Sequence, residues 1–301
     1  MSFLKFVRNA LCAGLFLSLN HALPAGAQEQ KFYVFGNSLF NHVSGSDTTT
    51  VPHWIALLSR QQGQAFTLDG EFGFLRNFIS KPEPTPNWGF KSVRSGWNNE
   101  RTSFAKSGVN NVIIVPANFI QYQSPSANYE GGGGPKISPI EATSQLMTLV
   151  EKSLPETKFY IYEGWAELSG FITSLPPSQN DMDRYYSYNS SAYHDWYLEY
   201  VTSLKKDHSV ELIPVATVLA KLFTQAPLNQ LSPEDLYVDD APHGTATLYF
   251  LAAMITYSAV LEQPLPTEFA VPRSVNSIVA KAYPEIAAAI PELLMESNSS
   301  R

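Results

Sequence analysis

The sequence predicts an α/β protein built on a parallel sheet with helices on both faces. Five short runs rich in β-branched and aromatic residues recur at 32–35, 66–68, 111–115, 158–162 and 210–214. Stretches with helical periodicity separate them at 51–62, 140–153 and 193–206, and two more follow the fifth run, at 215–222 and 245–261. Strand and helix therefore alternate, which gives a parallel sheet covered on both sides. No linker splits the chain, so it reads as one domain.

Residues 1–27 read as an export leader. Lys5 and Arg8 make a basic start, residues 10–19 an apolar core, and Ala25-Gly26-Ala27 a small-residue cleavage site. The apolar core is shorter than the ~20 residues a membrane-spanning helix needs. The expected mature domain is 28–301, periplasmic or extracellular, without stable membrane insertion. A single domain of ~200–250 residues is routine for this class. The one cysteine, Cys12, lies in the leader, so the mature chain has neither disulfide nor thiolate chemistry. Twenty Lys and Arg against 27 Asp and Glu give a formal charge of −7. With no basic stripe, nucleic acid is excluded as a partner. Aromatics at 13 % suit either a large core or a cleft that stacks on sugar rings.

The first run ends in Gly36-Asn37-Ser38-Leu39, which places a hydroxyl on a tight bend at the carboxyl edge of the sheet. Open α/β sheets bind ligands at that edge. The helix at 51–62 shows Trp54, Leu57 and Leu58 on one face. After the second run, Asp69-Gly70-Glu71-Phe72-Gly73 reads as a loop. Residues 76–107, with Pro82, Pro84, Pro86, Trp88 and Trp97, read as a long loop or small subdomain. Such loops are often functional, and this one is a candidate wall for a substrate cleft. A second excursion, 123–139, carries four consecutive glycines from Gly131. Glu163 and Trp165 follow the fourth run, where they face the cleft or form a capped strand end with a buried indole. The tyrosine-rich string at 185–197, with His194-Asp195, is explained more plainly by helix packing than by a sugar-binding face. The tail from Pro264 reads as surface helix.

A serine hydroxyl becomes a nucleophile when a neighbouring base takes its proton and an acceptor orients that base. Ser38 supplies the first part. Asp240-Ala241-Pro242-His243-Gly244 supplies the others, since a carboxylate three residues before an imidazole reaches it within one turn. The adjacent Asp239, at a spacing of four, competes for that role. His42 and His53 rank below His243, having only distant carboxylates such as Asp47. Few histidines, no His-x-His pair and no mature cysteine leave no metal site implied.

From about residue 31 to residue 261 the chain resembles the SGNH (GDSL-type) hydrolase superfamily. The usual Gly-Asp-Ser-Leu block stands here as Gly36-Asn37-Ser38-Leu39, and the Asp-x-x-His block as Asp240-Ala241-Pro242-His243. The third block keeps only its asparagine, in Pro116-Ala117-Asn118-Phe119. The resemblance implies a flavodoxin-like three-layer α/β/α sandwich with a five-stranded parallel sheet. It implies catalytic Ser38, Asp240 and His243, and an oxyanion hole from Ser38, Gly73 and Asn118, with Gly70 the alternative glycine. No cofactor is implied. The expected function is an exported serine esterase that hydrolyses acyl esters, acetyl first, through an acyl-enzyme. Carbohydrate esters are the expected substrates, with Trp88, Trp97 and Trp165 stacking on sugar rings. The alternatives are a lipid or thioester hydrolase, an acyltransferase on the same triad, and a non-catalytic glycan-binding protein.

Overall fold

A computed structural model of the chain describes residues 29–43, 50–116, 122–129 and 135–299. The leader at 1–27, Asn118 and the four glycines from Gly131 lie outside them.

Five parallel strands form one sheet: β1 (Gln30–Gly36), β2 (Phe66–Phe72), β3 (Asn111–Ile114), β4 (Lys158–Tyr162) and β5 (Val210–Ile213). Their order is β2-β1-β3-β4-β5. Phe32 pairs with Leu68 on one side and with Asn111 on the other. The chain runs outward from β1 to β2, then returns to lay β3 on the other flank of β1. Ser38 therefore follows the strand at which the winding reverses, the usual ligand position in such sheets.

The helices are α1 (Val51–Gln61), α2 (Leu75–Phe78), α3 (Pro139–Glu151), α4 (Gln179–Asn189), α5 (Ala192–Leu204), α6 (Val215–Phe223), α7 (Pro233–Leu236), α8 (Ala246–Leu261), α9 (Ser277–Lys281) and α10 (Tyr283–Ser299). Right-handed crossovers from a strand order that reverses at β1 put α1 and α3 on opposite faces. α1 packs on α8, and α3 packs on α5. This is the three-layer sandwich the sequence predicts.

Local chemistry starts these helices where they start. Pro52 sits in the first turn of α1, where a missing N–H removes no helical bond. Ser138 accepts the N–H of Glu141 at 3.1 Å to open α3, and Ser178 with Asp181 forms a capping box on α4. α8 has no polar stripe, and every residue from Ala246 to Tyr257 is buried. Such a helix must be covered all round, and α1, α6 and α10 do so. The tail is thus no mere surface helix: α10 buries Ile286, Ile290 and Leu294 and seats on α6 and α8. Among the described residues no helix is long and apolar enough to cross a membrane.

β2 also runs further than its sequence suggests. Asp69, Gly70 and Glu71 belong to the strand rather than to a loop. Both carboxylates are buried because the following excursion supplies their partners. Asp69 accepts the Ser95 hydroxyl and, at 2.9 Å, the N–H of Gly96. Glu71 holds Lys81 and accepts the N–H of Thr85 at 3.1 Å. The backbone joins in. The N–H groups of Asn87 and Trp88 reach the Gly70 carbonyl at 3.0 and 3.1 Å, and the Leu68 N–H reaches Arg94 O at 3.1 Å. Residues 79–103 are therefore strapped along β2.

Candidate active site

The bend after β1 is shaped by what its backbone must fit between. A Cβ on Gly36 would stand 3.0 Å from Val115 Cγ2 and 3.2 Å from the Trp88 ring, so any larger residue would press on both side chains. Asn37 is buried. Its amide donates to the carbonyls of Val115 and Pro116 at 3.3 and 3.2 Å, and its Oδ1 accepts the N–H of Leu39 at 3.1 Å. Asn37 thus ties the serine bend to the end of β3. The Tyr249 hydroxyl on α8 donates to the Ser38 carbonyl at 2.8 Å.

The histidine arrives on a closed turn. The Val238 N–H reaches His243 O, and the Thr245 N–H reaches Leu236 O, both at 2.9 Å. Trp165 Nε1 donates to Pro242 O at 2.8 Å. His243 Nε2 then lies 3.0 Å from Ser38 Oγ, and its Nδ1 lies 2.7 Å from Asp239 Oδ2. Two groups 205 positions apart meet at hydrogen-bonding distance.

The carboxylate on the imidazole is Asp239, not Asp240. Oδ1 of Asp239 accepts the N–H of Ala241 at 3.1 Å and of His243 at 2.9 Å. That side-chain turn reverses the chain over four residues and brings the imidazole back over Oδ2, while Asp240 is carried outward and is exposed. Burial raises the pKa of Asp239, but the bonds from the His243 ring, the His243 N–H and the Ala241 N–H outweigh it and hold the carboxyl below its usual range.

Gly73 does not present its N–H to this site: it donates to Gly36 O at 2.9 Å. Gly70 is a strand residue on which Val34 and Phe90 pack, a Cβ there falling 2.6 Å from Val34 Cγ1. The Gly73 N–H is thus committed to Gly36, and Gly70 lies within β2. Asn118 lies outside the described residues.

The three tryptophans separate. Trp88 stands against Gly36 and meets exposed Phe72 edge-on, ring centroids 5.4 Å apart. Trp97 is buried against Tyr33 and Phe104, and its Nε1 donates to Thr102 O at 3.0 Å. Trp165 is buried too, its indole committed to Pro242. Of the three, Trp88 is the one that stands against the bend that follows β1, at Gly36. Glu163 is also enclosed rather than in the cleft. His194 Nδ1 meets one oxygen at 3.0 Å, and the Thr217 hydroxyl donates to the other at 2.7 Å. His194 Nε2 faces the Ser297 carbonyl of α10 at 3.0 Å. The tyrosine-rich string is packing, with Tyr185, Tyr193, Tyr197 and Tyr200 buried.

His42, ranked below His243 in the sequence, lies beside it in the fold. Its ring stacks on His243 with centroids 3.7 Å apart and planes 11° from parallel. The sequence signal was its position four residues after the serine, which a search for a carboxylate partner passes over.

No protein-family model matches the sequence, and no curated protein matches it. Solved structures do resemble it. A DUF4886 family protein from Bacteroides uniformis aligns with a TM-score of 0.56 at 14% identity, over 87% of this chain and 95% of that one. A family 3 carbohydrate esterase from Clostridium thermocellum gives 0.44 at 11% identity, over 77% of this chain and 96% of the other. A carbohydrate acetylesterase from Sinorhizobium meliloti gives 0.38 at 10% identity, over 77% and 99%. The first of these likenesses shows a shared fold.

Proposed function

We propose that this chain is a serine esterase with Ser38 as nucleophile, His243 as general base and Asp239 as the orienting carboxylate. The observation that carries the reading is the unbroken line from Ser38 Oγ through both imidazole nitrogens to Asp239, at 3.0 and 2.7 Å. A binding module gains nothing from that line.

The chemistry follows from the distances. Ser38 Oγ attacks the ester carbonyl carbon as Nε2 takes its proton, and the imidazolium that forms is stabilised by Asp239. The same proton then passes to the leaving alcohol, and the acyl group stays on Oγ. Water, deprotonated by His243, attacks the acyl-enzyme and restores the serine. The Ser38 N–H and the Asn118 amide are the proposed donors to the oxyanion. Loss of one such donor typically costs about 3–4 kcal/mol of transition-state stabilisation.

The proposed substrates are short acyl esters, acetyl first, on a carbohydrate or similar ring alcohol, and the proposed setting is outside the cytoplasm. Exposed Phe72, paired with Gly36 at the end of β2 and set against Trp88, supports the ring alcohol, since an exposed aromatic at the sheet's carboxyl edge favours a flat apolar sugar face. A second reading, a longer-chain lipid or thioester substrate, is favoured by a different feature. An apolar cavity of about 330 Å³ lined by Leu168, Leu175, Pro176, Tyr237 and Val238 borders Asp239.

The test is turnover of a panel of aryl esters of rising acyl length together with acetylated oligosaccharides, wild type against Ser38→Ala. The proposal expects Ser38-dependent turnover highest on acetyl esters. Turnover that survives Ser38→Ala rejects the mechanism, and a preference for long chains moves the substrate to the second reading.

A further inference from the structure

We propose that His42 is a positioning residue for this esterase reaction: its ring is the platform on which His243 lies, and it keeps Nε2 aimed at Ser38. The inference rests on the esterase reading of Ser38 and His243. Its ground is the near-parallel stack, 3.7 Å between centroids at 11°, on the one residue whose ring plane decides whether Nε2 points at Ser38. Two hydrogen bonds along the ring's edge, to Ser38 and to Asp239, leave rotation about that line unrestrained. A flat neighbour on the face removes that freedom.

The segment that carries His42 is itself fixed. The Phe40 and Asn41 N–H groups both donate to Asn37 O, at 3.1 and 3.3 Å, and the Thr50 hydroxyl at the start of α1 bonds Asn41. Among the described residues, the ionisable groups acting on His42 are His243 and Asp239. Burial lowers its pKa first, the neighbouring His243 charge lowers it further, and Asp239 opposes both. His42 therefore starts neutral near pH 7. When His243 takes the serine proton, a neutral π-face accepts the new cation. A protonated His42 would instead set two cations face to face.

The stacked pair has a kinetic signature. The pH dependence of kcat/KM reports groups of the free enzyme, and a coupled pair loses its protons in two macroscopic steps. Below the lower of the two steps the doubly neutral enzyme falls with the square of proton concentration. The acid limb of log(kcat/KM) against pH should therefore be steeper in wild type than in a variant without the His42 titration. His42→Phe keeps a flat ring and removes that titration. It should hold kcat within about twofold at pH 8, with the shallower acid limb. His42→Ala removes the platform and should lower kcat roughly three- to tenfold, the worth of one aromatic pair.

The experiment is the full profile of a short aryl ester for wild type, His42→Phe, His42→Ala and Ser38→Ala, with thermal melting of each. Ser38-dependent turnover with an acid limb equally steep in wild type and in His42→Phe overturns the role of His42 and leaves the esterase reading intact. Absence of Ser38-dependent turnover at every pH overturns both. If His42→Ala fails to fold, the wild-type and His42→Phe slopes still decide the matter.

Discussion

Asp239→Asn and Asp240→Asn differ by one position and should differ greatly in effect. Asparagine at 239 keeps an oxygen for the N–H groups of Ala241 and His243, so the turn survives and only the charge is lost. With the carboxylate and the new imidazolium about 4 Å apart between charge centres, their attraction is about 4 kcal/mol at an effective dielectric of 20 and about 1 kcal/mol in bulk water. The Asp239 side chain is 41% exposed, so screening pulls the value to about 2–3 kcal/mol. That corresponds to roughly 30- to 150-fold in rate. An asparagine amide that donates to Nδ1 also holds the wrong tautomer, and an Asp-to-Asn change in the serine-protease triad costs ~10⁴ in kcat. The expected loss in kcat for Asp239→Asn is therefore roughly 10²- to 10⁴-fold on a short aryl ester, whereas Asp240→Asn should stay within about threefold. A larger loss at position 240 than at 239 would refute the assignment.

Three other perturbations test the supports of the site. Asn37→Asp sets an acceptor against the Val115 and Pro116 carbonyls, so chemical denaturation should show a loss of about 1–3 kcal/mol; equal or greater stability would count against the amide tether. Trp165→Phe deletes the indole N–H that holds Pro242 O and should destabilise by a similar ~1–3 kcal/mol, with kcat falling more than KM changes because the histidine turn loosens. Burial and then the Glu163 bond act on His194 in opposite senses, and the bond leaves its pKa above the ordinary value; burial raises Glu163 as well. The folded pair thus keeps a proton that the unfolded chain releases near pH 6.5. Stability should be full below that pH and decline as pH rises through the folded value of His194. In Glu163→Gln the decline should flatten, and an unchanged pH dependence of urea unfolding would contradict the pairing.

Much of this architecture is legible in the sequence because parallel strands buried on both faces read as continuous apolar runs. Lys158–Tyr162 is such a run and carries the same bounds in the fold. β2 was cut short because Asp69 and Glu71 look like loop residues, and their partners at Lys81, Ser95 and Gly96 arrive only once the chain has folded back. Ser38 and His243 were legible from local turn chemistry. The choice between Asp239 and Asp240 was not, because it depends on which carboxylate collects the backbone N–H groups of 241 and 243. Trp97 and Trp165 misled for a related reason: an indole in a loop is as often a packing residue with a satisfied N–H as a ligand platform. Gly73 was assigned from its place after the second strand, but its N–H bond to Gly36 is a long-range pairing.

The strapping of residues 79–103 along β2 reaches beyond the catalytic rim. An outermost strand with bare N–H and C=O groups invites another molecule to zip onto it. Here the carbonyl of Gly70 and the N–H of Leu68 are already taken by Trp88, Asn87 and Arg94. The segment that carries Trp88 thus also covers the outer edge of β2 at those positions. Trimming it should bare that edge and favour self-association.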